Sequence, residues 1–241
     1  YTTLFRSGSV YIMKLTDRLA AAVSLIPQGA VIADIGTDHA YIPVSVCESG
    51  HCPSAIAADI VPGPLAAAVA HVRGAGLTDR SDCRLGDGLT CVKAGEVDGA
   101  VICGMGGPLM VRILQTSYAV WQSLKFVVLQ PQSDAGALRR YLYEHGWHIE
   151  DERLVIDDGR LYELMRAVPG QAGALPDWIY DIGPVNWQRR DPLLSRKIDI
   201  LMETKGHILE GLKKSRKDVH ERMEKIESEL RFWRELKWQL Q

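Results

Sequence analysis

Residues 31–41 read Val31-Ile32-Ala33-Asp34-Ile35-Gly36-Thr37-Asp38-His39-Ala40-Tyr41. An apolar run closes on an acid, one glycine follows two positions later, and small residues then open a helix. That order describes a strand turning tightly into a helix, with the glycine where a ligand can approach the backbone. Outward from it, apolar runs at 55–60, 100–103 and 126–130 also end on Asp, Gly or Pro. Ala-rich or amphipathic stretches at 64–75 and 108–118 lie between them, and a further helix is expected at 135–145, ended by Gly146. Strands covered on both faces by crossover helices carry such runs. The close differs. Runs at 149–156 and 161–168 flank Asp157-Asp158-Gly159, which reads as an antiparallel hairpin.

The expected fold class is therefore α/β: a Rossmann-like, mostly parallel sheet with an antiparallel terminal hairpin, of the class I methyltransferase kind rather than a plain dinucleotide fold. The 241 residues, 46% of them hydrophobic, suffice for one such domain and an appendage. The domain is expected at 13–170, after a non-native leader at 1–12 that has no amphipathic period and precedes Met13. A linker at 171–190 carries Pro169-Gly170 just before it, Gly183-Pro184 within it, and Trp178, Tyr180 and Trp187 as packing aromatics. A helical hairpin of coiled-coil character follows at 191–241, starting at Asp191-Pro192. Leu194, Ile198, Leu201, Ile208 and Leu212 form one heptad seam, and Val219, Met223, Ile226, Leu230 and Trp233 a second. The phase break between them, where Ser215 and Asp218 offer a capping pair, makes two antiparallel helices.

The net charge of −2 is unevenly shared. Residues 189–241 hold 14 Lys/Arg against 10 Asp/Glu, while residues 1–188 hold 14 against 20. Lys213, Lys214, Arg216 and Lys217 fall at the hairpin tip, either a solvated turn or a phosphate contact. Nothing approaches the ~20 continuous apolar residues of a membrane span. Five cysteines without CxxC spacing suit reduced thiols in a cytoplasmic setting. The seven histidines are scattered away from Cys and acid partners, so no metal site is expected. A monomer is compatible with the sequence, which specifies no oligomeric state.

The chemistry concentrates at the strand ends. Asp38 and Ala40 stand where dinucleotide-binding patterns place further glycines. A carboxylate there repels a pyrophosphate but tolerates a ligand with a sulfonium and an ammonium group, which favours S-adenosylmethionine over NAD. Asp59 follows Gly36 by 23 positions, near the offset at which an acid meets ribose hydroxyls. Asp87, in Gly86-Asp87-Gly88 after a short third strand, can accept from an adenine amine; an ordinary Asp-Gly turn is the plainer alternative. Gly104-Met105-Gly106-Gly107 ends the fourth strand at the switch point, leaving room for a substrate. Gln130-Pro131-Gln132 adds two amides at the end of the fifth. The candidate cofactor-binding set is thus Asp34, Gly36, Thr37, His39, Asp59, Asp87, Gly88, Gly104 and Met105.

DIGTDHAYIP, the GMGG strand end and LQP followed by an amide together resemble the bacterial tRNA (adenine-22) N1-methyltransferase family, from about Lys14 to the C-terminus. The resemblance implies methyl transfer from S-adenosylmethionine to N1 of an adenine in tRNA. The family commonly has Asn at the position of Gln132 and often Glu at that of Asp59. Tyr41 and Met105 are candidates for the wall against a flipped base. Asp38 is the candidate for stabilising the cationic product, with helix capping as the alternative role for Asp38 and His39. The candidate catalytic set is Asp38, Tyr41 and Gln132. Other readings stay open: a methyltransferase for another RNA or a small molecule, an NAD-dependent oxidoreductase, or a non-enzymatic adaptor.

Overall fold

The computed structural model describes residues 15–215 and 219–240. The expected leader at 1–12, and Arg216, Lys217 and Asp218 of the hairpin tip, lie outside the described residues. In chain order the elements are α1 (Asp17–Ser24), β1 (Ile32–Ile35), α2 (Tyr41–Glu48), β2 (Ala55–Asp59), α3 (Pro62–Gly74), β3 (Ser81–Leu85), β4 (Gly99–Met105), α4 (Gly107–Thr116), α5 (Tyr118–Ser123) and β5 (Phe126–Pro131). Then come α6 (Ala135–Glu144), β6 (Trp147–Asp157), β7 (Arg160–Pro169), α7 (Asp177–Ile182), α8 (Pro184–Gln188), α9 (Leu194–Lys213) and α10 (His220–Trp238).

One seven-stranded sheet runs in the order β3-β2-β1-β4-β5-β7-β6. The first five strands pair in parallel, and β7 joins β5 and β6 antiparallel. Side chains alternate across the pleat, so each strand feeds two apolar layers. Ala33, Ile35, Ile102, Val127 and Leu129 pack on one face with Met110, Trp121 and Leu138. Ile32, Ala55, Val101 and Val128 pack on the other with Leu25, Val44 and Val46. The hairpin loop is tighter than the three residues expected, since Asp157 still pairs with Arg160. Asp158 and Gly159 alone turn the chain, both at positive φ (48° and 72°), the geometry that matches strand twist.

An ionic knot fastens that hairpin to the helices. Arg139 of α6 is fully buried, donates to Glu152 of β6 and Glu163 of β7, and reaches the carbonyl of Tyr180 in α7. The stretch expected as a linker is therefore partly helical. Proline and glycine bound α7 and α8 rather than preventing them.

The chain divides into two compact units between Val185 and Asn186. In the second, α9 begins at Leu194, three residues after the expected Asp191 start. Asp191 instead accepts from the Leu193 amide ahead of the helix. The α10 helix begins at His220 behind Val219, with no side-chain cap. The two helices are antiparallel: Asp199 pairs with Lys237 and Lys205 with Glu229, one number rising as the other falls. The strict heptad in α9 fails at Ile208, which is exposed. Leu209 is buried instead and packs with Ile226 and Leu230. A straight helix repeats every 3.6 residues, so a stripe counted at 3.5 drifts off the contact face within a few turns.

Candidate active site

Parallel pairing aligns the C-terminal ends of β1 to β5 on one rim. Strand order reverses between β1 and β4, where open α/β sheets bind ligands. Asp34 lies there, almost wholly buried, accepting from the Thr37 hydroxyl at 2.6 Å. Burial raises its carboxyl from 3.8 to about 7; the Thr37 bond opposes that rise and the negative charge of Asp59 adds to it.

Gly36 turns the chain off β1 at φ 72°, and its amide and that of Thr37 both donate to the Ala58 carbonyl. A Cβ at Gly36 would stand 2.2 Å from Met105 Cε, so the β4 side chain lies directly over the glycine. Asp38, His39 and Ala40 then follow at φ 31°, 40° and 53°. Three consecutive left-handed non-glycine residues cost roughly 1–2 kcal/mol each, and strain of this kind gathers at ligand sites. His71 of α3 helps hold the turn, its Nδ1–H donating to the His39 carbonyl at 2.7 Å.

At the end of β2, Asp59 Oδ1 accepts from the Val61 amide at 2.8 Å. The two residues after it, Ile60 and Val61, are exposed, as is Leu85 at the end of β3. Three exposed apolar side chains thus lie at the paired ends of β2 and β3, where Asp59 is opposite Leu85 and the exposed Asp87 follows. Gly88 is buried at φ 58°, with Ile113 where its side chain would be.

At the end of β4, Gly104 takes φ 76°. A Cβ there would meet only Arg18 Nη1 at 3.6 Å and Gln132 Nε2 at 3.8 Å. Gly104, Met105, Gln132 and Arg18 thus share one corner. Asp38 and Tyr41 do not join it. The Asp38 carboxylate pairs with His39 at 3.4 Å, and the Tyr41 ring meets the rings of His39 and His71 on the α3 side.

Arg18 was missed from sequence, and so was the work of Gln130. Gln130 is fully buried rather than a rim amide. Its Oε1 accepts from Arg18 Nη1 at 2.8 Å and from the Gly104 amide at 3.1 Å. The available signal was a lone cation in the first helix ahead of an acidic loop.

The rim suits S-adenosylmethionine: a backbone cradle at Gly36, buried and exposed carboxylates for its cationic and hydroxylated parts, and exposed apolar side chains at the ends of β2 and β3 for its adenine. Among the described residues no group of His, Cys, Asp and Glu is placed to hold a metal ion. Among them, too, no helix is long and apolar enough to cross a membrane.

Comparisons with known proteins identify the family of the chain. A family model described as a methyltransferase domain matches residues 15–165. The tRNA (adenine(22)-N(1))-methyltransferase of Bacillus subtilis is 38% identical over 167 residues, 69% of this chain and 70% of that one. The crystal structure of the B. subtilis m1A22 tRNA methyltransferase superposes with a TM-score of 0.83 at 29% identity, covering 92% of this chain and 98% of that one. A Streptococcus pneumoniae candidate tRNA (m1A22) methyltransferase, solved in complex with S-adenosyl-L-methionine, gives a TM-score of 0.83 at 29% identity, over 92% and 99% of the two chains.

Proposed function

The chain belongs to the tRNA (adenine(22)-N(1))-methyltransferase family, and from that premise we propose how its residues carry methyl transfer from S-adenosyl-L-methionine to N1 of an adenine in tRNA. When bound, S-adenosyl-L-methionine supplies a methyl group already activated by a positive sulfonium. Adenine N1 has its own lone pair, so the protein's task is to bind, align and exclude water.

Asp34 holds negative charge beneath the Gly36 turn and favours the cationic end of the donor. Asp59 accepts from ribose hydroxyls, and Ile60, Val61 and Leu85 support the adenine face while Asp87 accepts from its amine. Thr37 fixes the Asp34 carboxylate, and the backbone of His39 and Gly88 shapes the turns on either side. Across the switch point, Gly104 leaves space for the target base, with Met105 as its apolar wall and the Gln132 amide within reach of its polar edge. A nucleotide of tRNA has to leave its stack to arrive there. Asp38 and Tyr41, on the α3 side of the loop, contribute to loop shape and to the field that favours a cationic product.

One observation carries this reading: a buried Asp34 under the Gly36 turn, at the rim where Gly104 has only the ends of Arg18 and Gln132 in reach. Family likeness supports the position in tRNA and the cytoplasmic setting, and the charge balance supports an RNA-binding role for residues 189–241. Mass spectrometry of nucleosides from unmodified tRNA incubated with protein and donor should show 1-methyladenosine at a single site. Donor binding without any 1-methyladenosine would remove tRNA as the substrate. Reversing Lys213, Lys214, Arg216 and Lys217 to Glu should lower tRNA affinity and flatten its salt dependence. Wild-type affinity across a salt titration would make the tip a solvated turn.

A further inference from the structure

Asp87 is exposed, on the loop between β3 and β4. A carboxylate that reads an adenine amine from such a loop binds well only if the loop is already in place. Backbone and hydroxyl bonds fix its near end. The Gly86 amide donates to the Asp59 carbonyl at 3.0 Å, and the Thr90 hydroxyl donates to the Asp87 carbonyl at 2.8 Å. The far end is the carbonyl of Cys91, which closes the 3-10 turn Gly88–Cys91. There Arg84 takes over.

Arg84 of β3 spreads its guanidinium over four bonds. Nε donates to Asp82 at 2.8 Å and Nη1 to the Cys91 carbonyl at 2.8 Å. Nη1 and Nη2 also grip the two carboxylate oxygens of Glu96, at 3.0 and 2.6 Å. Glu96 in turn accepts from the Lys93 amide at 2.8 Å. One fork thus ties β3 to the end of the 3-10 turn and to the 93–96 turn that precedes β4. Arg84 holds the Glu96 carboxyl down at about 2, so the pair is charged at neutral pH. The two side chains keep 26% and 27% of their surface exposed, and pairs so placed contribute little to stability. What bidentate geometry supplies is direction. Arg84 pairs in register with Ala58, one step short of the strand ends at Asp59 and Leu85. It therefore acts on the rim through the loop.

We propose that Arg84, clamped to Glu96, is a positioning residue for donor recognition: it fixes the loop so that the Asp87 carboxylate meets the adenine amine. The inference rests on the methyl-transfer reading above and on Asp87 as the acceptor of that amine. The plainer role for such a pair is a staple between β3 and the 93–96 turn. A staple changes stability, whereas a positioning residue changes which ligand the rim prefers.

Two ligands separate these roles: S-adenosylhomocysteine, and its analogue with hydrogen in place of the adenine amino group. Calorimetry is run on wild-type protein and on Arg84→Met, Arg84→Lys and Glu96→Gln variants, each with its melting temperature recorded. Wild type should prefer S-adenosylhomocysteine about tenfold to a hundredfold, the worth of one hydrogen bond to a charged group. Arg84→Met should bring S-adenosylhomocysteine down toward the analogue and leave the analogue's own affinity largely as it was. Arg84→Lys, which can still pair with Glu96, should restore part of the preference, and Glu96→Gln should lose part of it. These two variants decide the matter if Arg84→Met does not fold. Equal weakening of both ligands, or a wild-type preference kept across the variants at lower melting temperature, would make the pair a staple and overturn the assignment. A wild type blind to the amine would take Asp87 off the adenine and this inference with it, while the methyl-transfer reading would stand on donor binding. If wild-type protein bound neither ligand, that reading would fall as well.

Discussion

Asp34→Asn should make the ligand-free protein more stable while spoiling its donor site. The Asp34 carboxyl is raised from 3.8 to about 7, by burial first. Below about pH 4 the folded and unfolded chains both hold its proton, and the group is neutral to stability. Between about pH 4 and 7 the unfolded chain releases a proton that the folded chain keeps, so stability falls as pH rises; above about 7 the cost levels off. At 1.36 kcal/mol per pH unit the whole step amounts to at most about 4 kcal/mol. Asparagine keeps the shape, and its carbonyl can still accept from the Thr37 hydroxyl at the 2.6 Å position, but it carries no charge to desolvate. Urea unfolding of both proteins at intervals from pH 4 to 8, read by tryptophan fluorescence, measures the difference. Trp121 and Trp147 stack inside the core, with ring centres 5.5 Å apart, and report its loss. The variant should gain up to about 4 kcal/mol over wild type at pH 8, with the gap closing toward pH 4. Its affinity for S-adenosylmethionine should fall at least about tenfold, the loss of one charge-assisted contact. Equal or lower stability at pH 8, or a gap that ignores pH, would refute the claim that Asp34 sits uncompensated.

Gly36→Ala puts a Cβ at φ 72°, costing about 1–2 kcal/mol in backbone strain; Met105 Cε, at the end of a flexible chain, can move aside. The melting temperature should drop by roughly 2–8 °C and donor affinity should fall in calorimetry; a variant unchanged in both would show that the turn needs no glycine. Asp59→Ala should cost about 1–3 kcal/mol of donor binding, and unaltered calorimetric affinity in a folded variant would remove Asp59 from the ribose. Arg139→Ala strands Glu152 in the core and should cost about 3–5 kcal/mol of stability in urea. The molecules that remain folded should bind donor normally, and a loss of affinity without a loss of stability would contradict a purely structural knot.

The donor loop was legible because its signals are local: an acid ending an apolar run and a glycine two residues on. The same locality hid its strain. Asp38, His39 and Ala40 carry no glycine, so nothing in their identities announces three left-handed residues. Arg18 was hidden for the opposite reason. Its partner lies 112 residues away, and only the sheet brings them together. Ile208 and Leu209 exchanged places because a seven-residue count and a straight helix part company over a 20-residue helix. Pro169-Gly170 and Gly183-Pro184 suggested a linker, although proline is well tolerated at a helix start, which is where Pro184 stands.

The bond between Arg18 and Gln130 also has a meaning in time. A chain made from its N-terminus at roughly 5–20 residues per second exposes Arg18 on the order of 10 s before Gln130 exists. During that interval β1, β2 and β3 can already align, since each lies near the next in sequence, and the glycine turn with its acids can take shape. The second wall, made by β4 and β5, has not yet arrived. A nascent chain therefore carries an open, one-sided rim that cannot fix α1 or enclose a methyl donor. The anchor of α1 is complete only after the hairpin, since Asp157 and Tyr162 also hold Arg18, so fragments ending before β7 are expected to be inert toward both donor and RNA rather than partly active.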